Sequence, residues 1–141
     1  MGASKLPKKI LARQQEITAA FLLHVDQHLD DILSGKAADM FEIRDFAALQ
    51  FIHPTHLSNT IKLSTGKSPC DFMEARIMDI SRAMLRDTRQ PVAEIAARLT
   101  FDPSNFTKFF KRFEGMTPKQ YREQWLQQAH SPVKKTETVT I

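Results

Sequence analysis

The sequence predicts an all-α fold built around a duplicated unit, and three observations predict it. Residues 46–73 align without a gap on residues 95–122. Ala47/Ala96, Ala48/Ala97, Pro54/Pro103, Lys62/Lys111, Gly66/Gly115 and Pro69/Pro118 are identical, and Thr55/Ser104, Leu57/Phe106 and Ser58/Thr107 are conservative pairs. A register kept by proline, glycine and paired apolar positions marks a repeated supersecondary unit. Two copies are too few for a solenoid, so the repeat belongs to one compact fold with two equivalent surfaces. The second observation is apolar periodicity of helical type along most of the chain. The third is the scarcity of glycine, with four in 141 residues.

The elements follow in order. Ile17, Phe21, Val25, Leu29 and Ile32 step by four and three, which predicts an amphipathic helix over 10–33, stopped by Ser34-Gly35-Lys36. Residues 1–16 read as an N-terminal extension or linker helix ahead of a bipartite domain at 17–127. The first copy, about 40–66, has a short helix from Ile43 to Leu49 and a turn at Phe51-Ile52-His53. A second helix then opens on Pro54, buries Leu57 and Ile61, and stops at Gly66. Phe72, Met73, Ile77, Ile80, Met84 and Leu85 predict a linker helix over 69–86, roughly 25 Å long. Arg76 lies near its apolar face and is expected to pair with a carboxylate or cap carbonyls.

The second copy, about 91–115, repeats the plan. Pro91 opens the helix Val92–Leu99, and Asp102 is a good N-cap before Pro103. Phe106, Phe109, Phe110 and Phe113 are expected to form one apolar face, and Gly115 ends the helix. A last helix is expected at about 118–128, and residues 129–141 as a loose tail.

The outward faces carry the chemistry. In the first copy they are Thr55, His56, Ser58, Asn59 and Lys62; in the second, Ser104, Asn105, Thr107, Lys108, Lys111 and Arg112. Short polar side chains can exchange hydrogen bonds with base edges, and lysine serves phosphates or guanine. The major groove admits a helix of this size. One such face is as often a solvated helix surface. Two in register are much harder to explain that way.

Ile95-Ala96-Ala97, Phe101, Asn105-Phe106, Phe109-Phe110-Lys111-Arg112-Phe113, Gly115-Met116-Thr117-Pro118 and Tyr121-Arg122 closely resemble the signature of the AraC/XylS transcription regulators. His53-Pro54-Thr55-His56-Leu57-Ser58 and Lys62 through Thr65-Gly66 resemble that family's first helix-turn-helix. The resemblance covers about residues 17–127. It implies a seven-helix, homeodomain-like DNA-binding domain. Two helix-turn-helix subdomains joined by a long helix would place helices 54–65 and 103–114 in successive major grooves, with some bending of the DNA. The resemblance implies that Thr55, His56, Ser58, Asn59 and Lys62 serve one half-site, and Ser104, Asn105, Thr107, Lys108, Lys111 and Arg112 the other. Lysines and Arg112 would hold phosphates, and His56 and Asn105 would read base edges. Thr100 stands where the family usually has glycine. Threonine is poor at positive φ, so this turn is expected to differ slightly.

Charge is uneven. Residues 1–45 carry six basic and seven acidic side chains, and residues 46–141 fourteen and nine. The positive excess lies with the repeat, as a phosphate-binding surface requires. The single Cys70 rules out an intramolecular disulfide and suits a reducing cytoplasm. No apolar run is long enough to span a bilayer, which leaves the cytoplasm and its nucleoid as the expected place.

An enzyme is not expected. There is no glycine-rich phosphate loop, nucleophile elbow or convincing acid pair. His24 and His28 have metal-capable spacing, but Val25 stands where a zinc protease helix needs glutamate, so no metal or other cofactor is expected. The rival from another class is a helical protein-interaction module without specific DNA binding. A weaker rival is a nucleic-acid binder that uses charge alone. Expected partners are a double-stranded operator or promoter. The resemblance is also compatible with RNA polymerase, an absent sensor domain or a second copy as partners, and no residue in the chain marks any of the three. The chain reads either as a short natural regulator or as the DNA-binding half of a longer one.

Overall fold

The computed structural model describes residues 7–129. Among them lie seven helices and no strand: α1 (Lys8–Ser34), α2 (Ile43–Leu49), α3 (Pro54–Thr65), α4 (Pro69–Asp87), α5 (Val92–Arg98), α6 (Pro103–Glu114) and α7 (Pro118–Ala129). They form two compact units that divide at Ile77/Met78, inside α4. Helix α1 crosses residue 16 without a break, so residues 8–16 of the expected extension belong to the first helix. The expected tail lies outside the described residues except for Ala129, which closes α7.

In the first unit α1 is the platform. Ile17, Phe21, Val25, Leu29 and Ile32 bury one stripe against Phe46 and Ala47 of α2 and Leu57 and Ile61 of α3. The ring of Phe21 meets Phe46 edge-on at 5.4 Å. Polar ties fix the register. Thr18 Oγ1 and Ser64 Oγ share a hydrogen bond of 2.7 Å, and Gln50 Nε2 donates to the Ile17 carbonyl at 3.0 Å. Arg76 Nε donates to Asp26 Oδ1 at 2.7 Å, which is the carboxylate partner expected for it.

His28 is a structural hub. It is buried at 4 % exposure and accepts a hydrogen bond from the Phe41 N–H at Nε2, 2.9 Å away. Its ring stacks on Phe41 at 3.9 Å and meets Phe46 edge-on. Burial lowers its pKa from the ordinary 6.5, against the pull of Asp31 and Asp45.

In the second unit Met78, Leu85, Ile95, Ala96, Leu99, Phe106 and Phe110 form the core. Arg82 Nε donates to Glu114 Oε1 at 2.7 Å and ties the end of α6 to α4. Arg122 Nε donates to the Leu85 carbonyl at 3.0 Å, satisfying an end of α4 that has no helical partner. The expected four-phenylalanine face is narrower than its spacing suggested. Phe106 and Phe110 are fully buried, but Phe109 is half-buried and Phe113 is 43 % exposed. Four rings spread over more arc than two neighbouring helices cover.

The turns of the two copies match hydrogen bond for hydrogen bond. Phe51 N–H donates to Ala48 O and Ile52 N–H to Ala47 O; Thr100 N–H donates to Ala97 O and Phe101 N–H to Ala96 O. The second bond of each pair closes five residues back, as in a Schellman stop. The residue that allows this closure sits at positive φ: Phe51 at 57° and Thr100 at 67°. The Thr100 turn therefore keeps the backbone that glycine would give, against the expectation that it would differ, because closing the carbonyls outweighs the steric cost.

Left-handed geometry costs a non-glycine residue about 1–2 kcal/mol, and glycine's extra unfolded freedom returns about 0.5–1. Thr100→Gly is therefore expected to stabilise the chain by about 0.5–1 kcal/mol in urea unfolding. Unchanged or lower stability would mean that the threonine side chain holds the turn. A second expectation concerns pH. Because the folded His28 pKa is lowered, the unfolded chain takes up the proton first. Its stabilising contribution is full above pH 6.5 and is lost as pH falls through the folded value. One such proton gives a slope of at most about 1.4 kcal/mol per pH unit. His28→Gln keeps an acceptor for Phe41 N–H and should flatten the melting-temperature decline below pH 6.5. An unchanged decline would assign it to other groups.

Candidate nucleic-acid interface

Each recognition helix is set by its first residues. At α3, His53 is the N-cap, with Nδ1 accepting from Thr55 N–H at 3.1 Å, and Pro54 follows. At α6, Asp102 Oδ2 accepts from Ser104 N–H at 3.2 Å, Asn105 N–H at 3.3 Å and the Ser104 hydroxyl at 2.7 Å. The Ser104 hydroxyl, and the backbone amides with it, hold the Asp102 carboxyl below its ordinary range. Gly66 and Gly115 end the helices at φ 79° and 83°, where a side chain would be strained.

Inward, Leu57, Thr60 and Ile61 of α3 and Phe106 and Phe110 of α6 are buried. Outward, Thr55, His56, Asn59 and Lys62 are exposed and Ser58 is half-buried. On α6, Ser104, Asn105, Lys108, Lys111 and Arg112 are exposed and Thr107 is half-buried. Every residue expected at the interface thus stands on the outer side of its helix. Two have local engagements that spacing does not reveal. The Ser104 hydroxyl is given to Asp102, which leaves it an acceptor for any ligand. The Arg112 guanidinium lies 4.7 Å over the Phe113 ring and 5.9 Å over Phe109. It lies against the two rings that the core leaves open.

One outward residue escaped the sequence reading. Leu63 is 73 % exposed, seven residues after His56 and four after Asn59, so it shares their side of α3. Its register partner in the repeat is Arg112. That pairing was the available signal, but an apolar residue does not stand out in a search for polar ones.

Other chemistry has less to work with. Among the described residues no three His, Cys, Asp or Glu side chains gather to hold a metal, and no helix is long and apolar enough to cross a membrane. Cys70 is exposed.

A helix-turn-helix domain family model matches residues 46–124. The chain is 29 % identical over 119 residues to the transcriptional activator RhaR of Yersinia pseudotuberculosis, covering 82 % of this chain and 41 % of RhaR. It is 26 % identical over 118 residues to the uncharacterised HTH-type regulator YobQ of Bacillus subtilis, covering 83 % of this chain and 46 % of YobQ. The chain thus spans less than half the length of these curated relatives. Among solved structures, the C-terminal domain of AraT, a response regulator from Geobacillus stearothermophilus, superposes with a TM-score of 0.58 at 25 % identity, covering 86 % of this chain and 88 % of that one. A probable AraC family regulator from Rhodopseudomonas palustris shares the fold with a TM-score of 0.63 at 16 % identity, covering 78 % and 97 %. With its paired turns, capped outer helices and matched register, the chain belongs to the helix-turn-helix family of AraC/XylS-type transcription regulators, as their DNA-binding domain.

Proposed function

We propose that the chain binds double-stranded DNA sequence-specifically, with α3 and α6 each laid in a major groove, as the DNA-reading part of a transcription regulator. One observation carries this most. Two helices with the same cap, stop and turn bury one side in a core and turn short polar and basic side chains outward. A solvated surface has no reason to keep that arrangement twice.

His56, Asn59 and Asn105 are the base-edge candidates, with Thr55, Ser58 and Thr107 beside them. Lys62, Lys108 and Lys111 are the phosphate candidates. Arg112 joins them, and Ser104 acts mainly as part of the cap. We place the chain's work in the cytoplasm, on nucleoid DNA, through binding and not catalysis. RNA polymerase, an upstream sensor portion or a second copy are its further proposed partners.

Selection of sites from a random duplex pool at a stated near-physiological salt tests this. Two short enriched blocks are expected. One block would restrict base reading to a single helix. No enrichment, with binding that vanishes as salt rises, would favour a charge-driven contact or a protein-interaction module. On a selected site, His56→Ala should relax preference in one block only; equal loss on every sequence would remove it from base reading. Lys111→Ala should weaken binding to all sequences and flatten the log–log salt dependence by about one unit. An unchanged slope would remove it from the phosphate set.

A further inference from the structure

The two recognition helices match in backbone but not in charge. Over their outward faces α3 carries one cation, Lys62, and α6 carries three, Lys108, Lys111 and Arg112. The difference falls at two register positions: Asn59 stands opposite Lys108, and Leu63 opposite Arg112. It extends to the units around them. Residues 7–77 carry eight basic and nine acidic side chains, and residues 78–129 carry nine and six. A polyanion therefore meets a slightly negative first unit and a clearly positive second one.

Cations and neutral groups do different work on DNA. Each cation that neutralises a phosphate releases counterions and adds about 0.9 to the salt slope, whatever the sequence. Hydrogen bonds and apolar contacts to base edges carry the sequence information. Helix α3 offers mostly the second kind of group. Its face also ends in Leu63, whose methyl groups stand in solvent on the side of His56 and Asn59. The major-groove feature that suits an exposed leucine is the 5-methyl group of thymine.

We propose a division of labour: α6 holds the duplex through its cations, and α3 selects sequence through uncharged contacts, with Leu63 set against a thymine methyl. This rests on the DNA-binding reading above and adds which helix supplies affinity and which supplies choice. All the residues involved are on the surface, so the substitutions that test the idea leave both cores intact.

The test is equilibrium binding at a series of salt concentrations, on a selected site and on a scrambled duplex of equal length. Lys108→Ala/Lys111→Ala is expected to flatten the salt slope by about two units and to weaken both duplexes alike. Leu63→Ala is expected to leave the slope unchanged and to lose about three- to fivefold in preference for the selected site, the scale of one buried methyl group. Replacing the thymines of the block that His56→Ala relaxes with deoxyuridine, one at a time, should reproduce that loss at one position for the unsubstituted protein. The same replacement should have no effect on Leu63→Ala. Equal slope changes for Lys62→Ala and the double variant would overturn the division. So would a deoxyuridine effect that persists in Leu63→Ala, or the absence of any at every thymine of the block. A protein with no preference between the two duplexes would instead fail the DNA-reading proposal itself.

Discussion

The closure of the turn between the two helices of each repeat is the constraint on which the structure depends. Short helices such as α2 and α5 leave carbonyls without helical partners, and only a reversed chain can return N–H groups to them. In both copies the return is made by two successive amides onto two successive alanines. That closure demands a left-handed residue, and the protein accepts Phe51 and Thr100 there. Once the turn is closed, the amides of Ile52 and Phe101 point back at the helix just ended. The next residue is then in place to cap the following helix. The direction of each recognition helix is therefore set before any of its own residues are counted.

The caps complete what the turn begins. His53 and Asp102 do the same geometric work with opposite electrostatic consequence. An imidazole nitrogen accepts from α3, whereas a carboxylate accepts from α6, where the positive end of the helix dipole favours it. The proline after each cap holds the first helical residue without forfeiting a hydrogen bond. The alanines at Ala47 and Ala96 are fully buried because a helix must approach them closely, and any larger side chain would lift it away. Function follows from this packing. A recognition helix presents a dependable outer face only because its inner face is locked, by Leu57 and Ile61 in one copy and Phe106 and Phe110 in the other.

Below this shared backbone the two units use different means of fixation. The first leans on α1, mostly through neutral hydrogen bonds and a buried imidazole that holds the approach to α2 through Phe41, with the Arg76–Asp26 ion pair beside them. The second leans on arginine. Arg82 reaches Glu114, Arg122 reaches the end of α4, and Arg86 lies over Trp125 and donates to the Tyr121 hydroxyl. Arginine suits this work because its planar fork meets carboxylates, carbonyls and ring faces with little reorganisation. It also leaves the second unit positively charged, where a phosphate backbone would be met.

Much of this was legible in the sequence, for a physical reason. Helix existence, the stops at Gly66 and Gly115, the Asp102 cap and the outward faces depend on neighbours within one turn of chain, and local spacing records them directly. The duplication singled out the two outward faces as well, since the same face recurs in register. What the tertiary structure decided depends on residues distant in sequence. Spacing put Phe109 and Phe113 on the apolar face, but only the reach of neighbouring helices decides which ring is covered. It offered His28 only as a histidine at metal-capable spacing from His24, but burial against Phe41 and Phe46 made it an acceptor. It passed over Leu63 and gave no sign of the rings under Arg112, because exposure and stacking depend on what lies nearby in space. The chain's one-dimensional pattern determined which elements form and where they end. Their packing decided which side chains remain available to bind, since availability is set by what lies opposite in space.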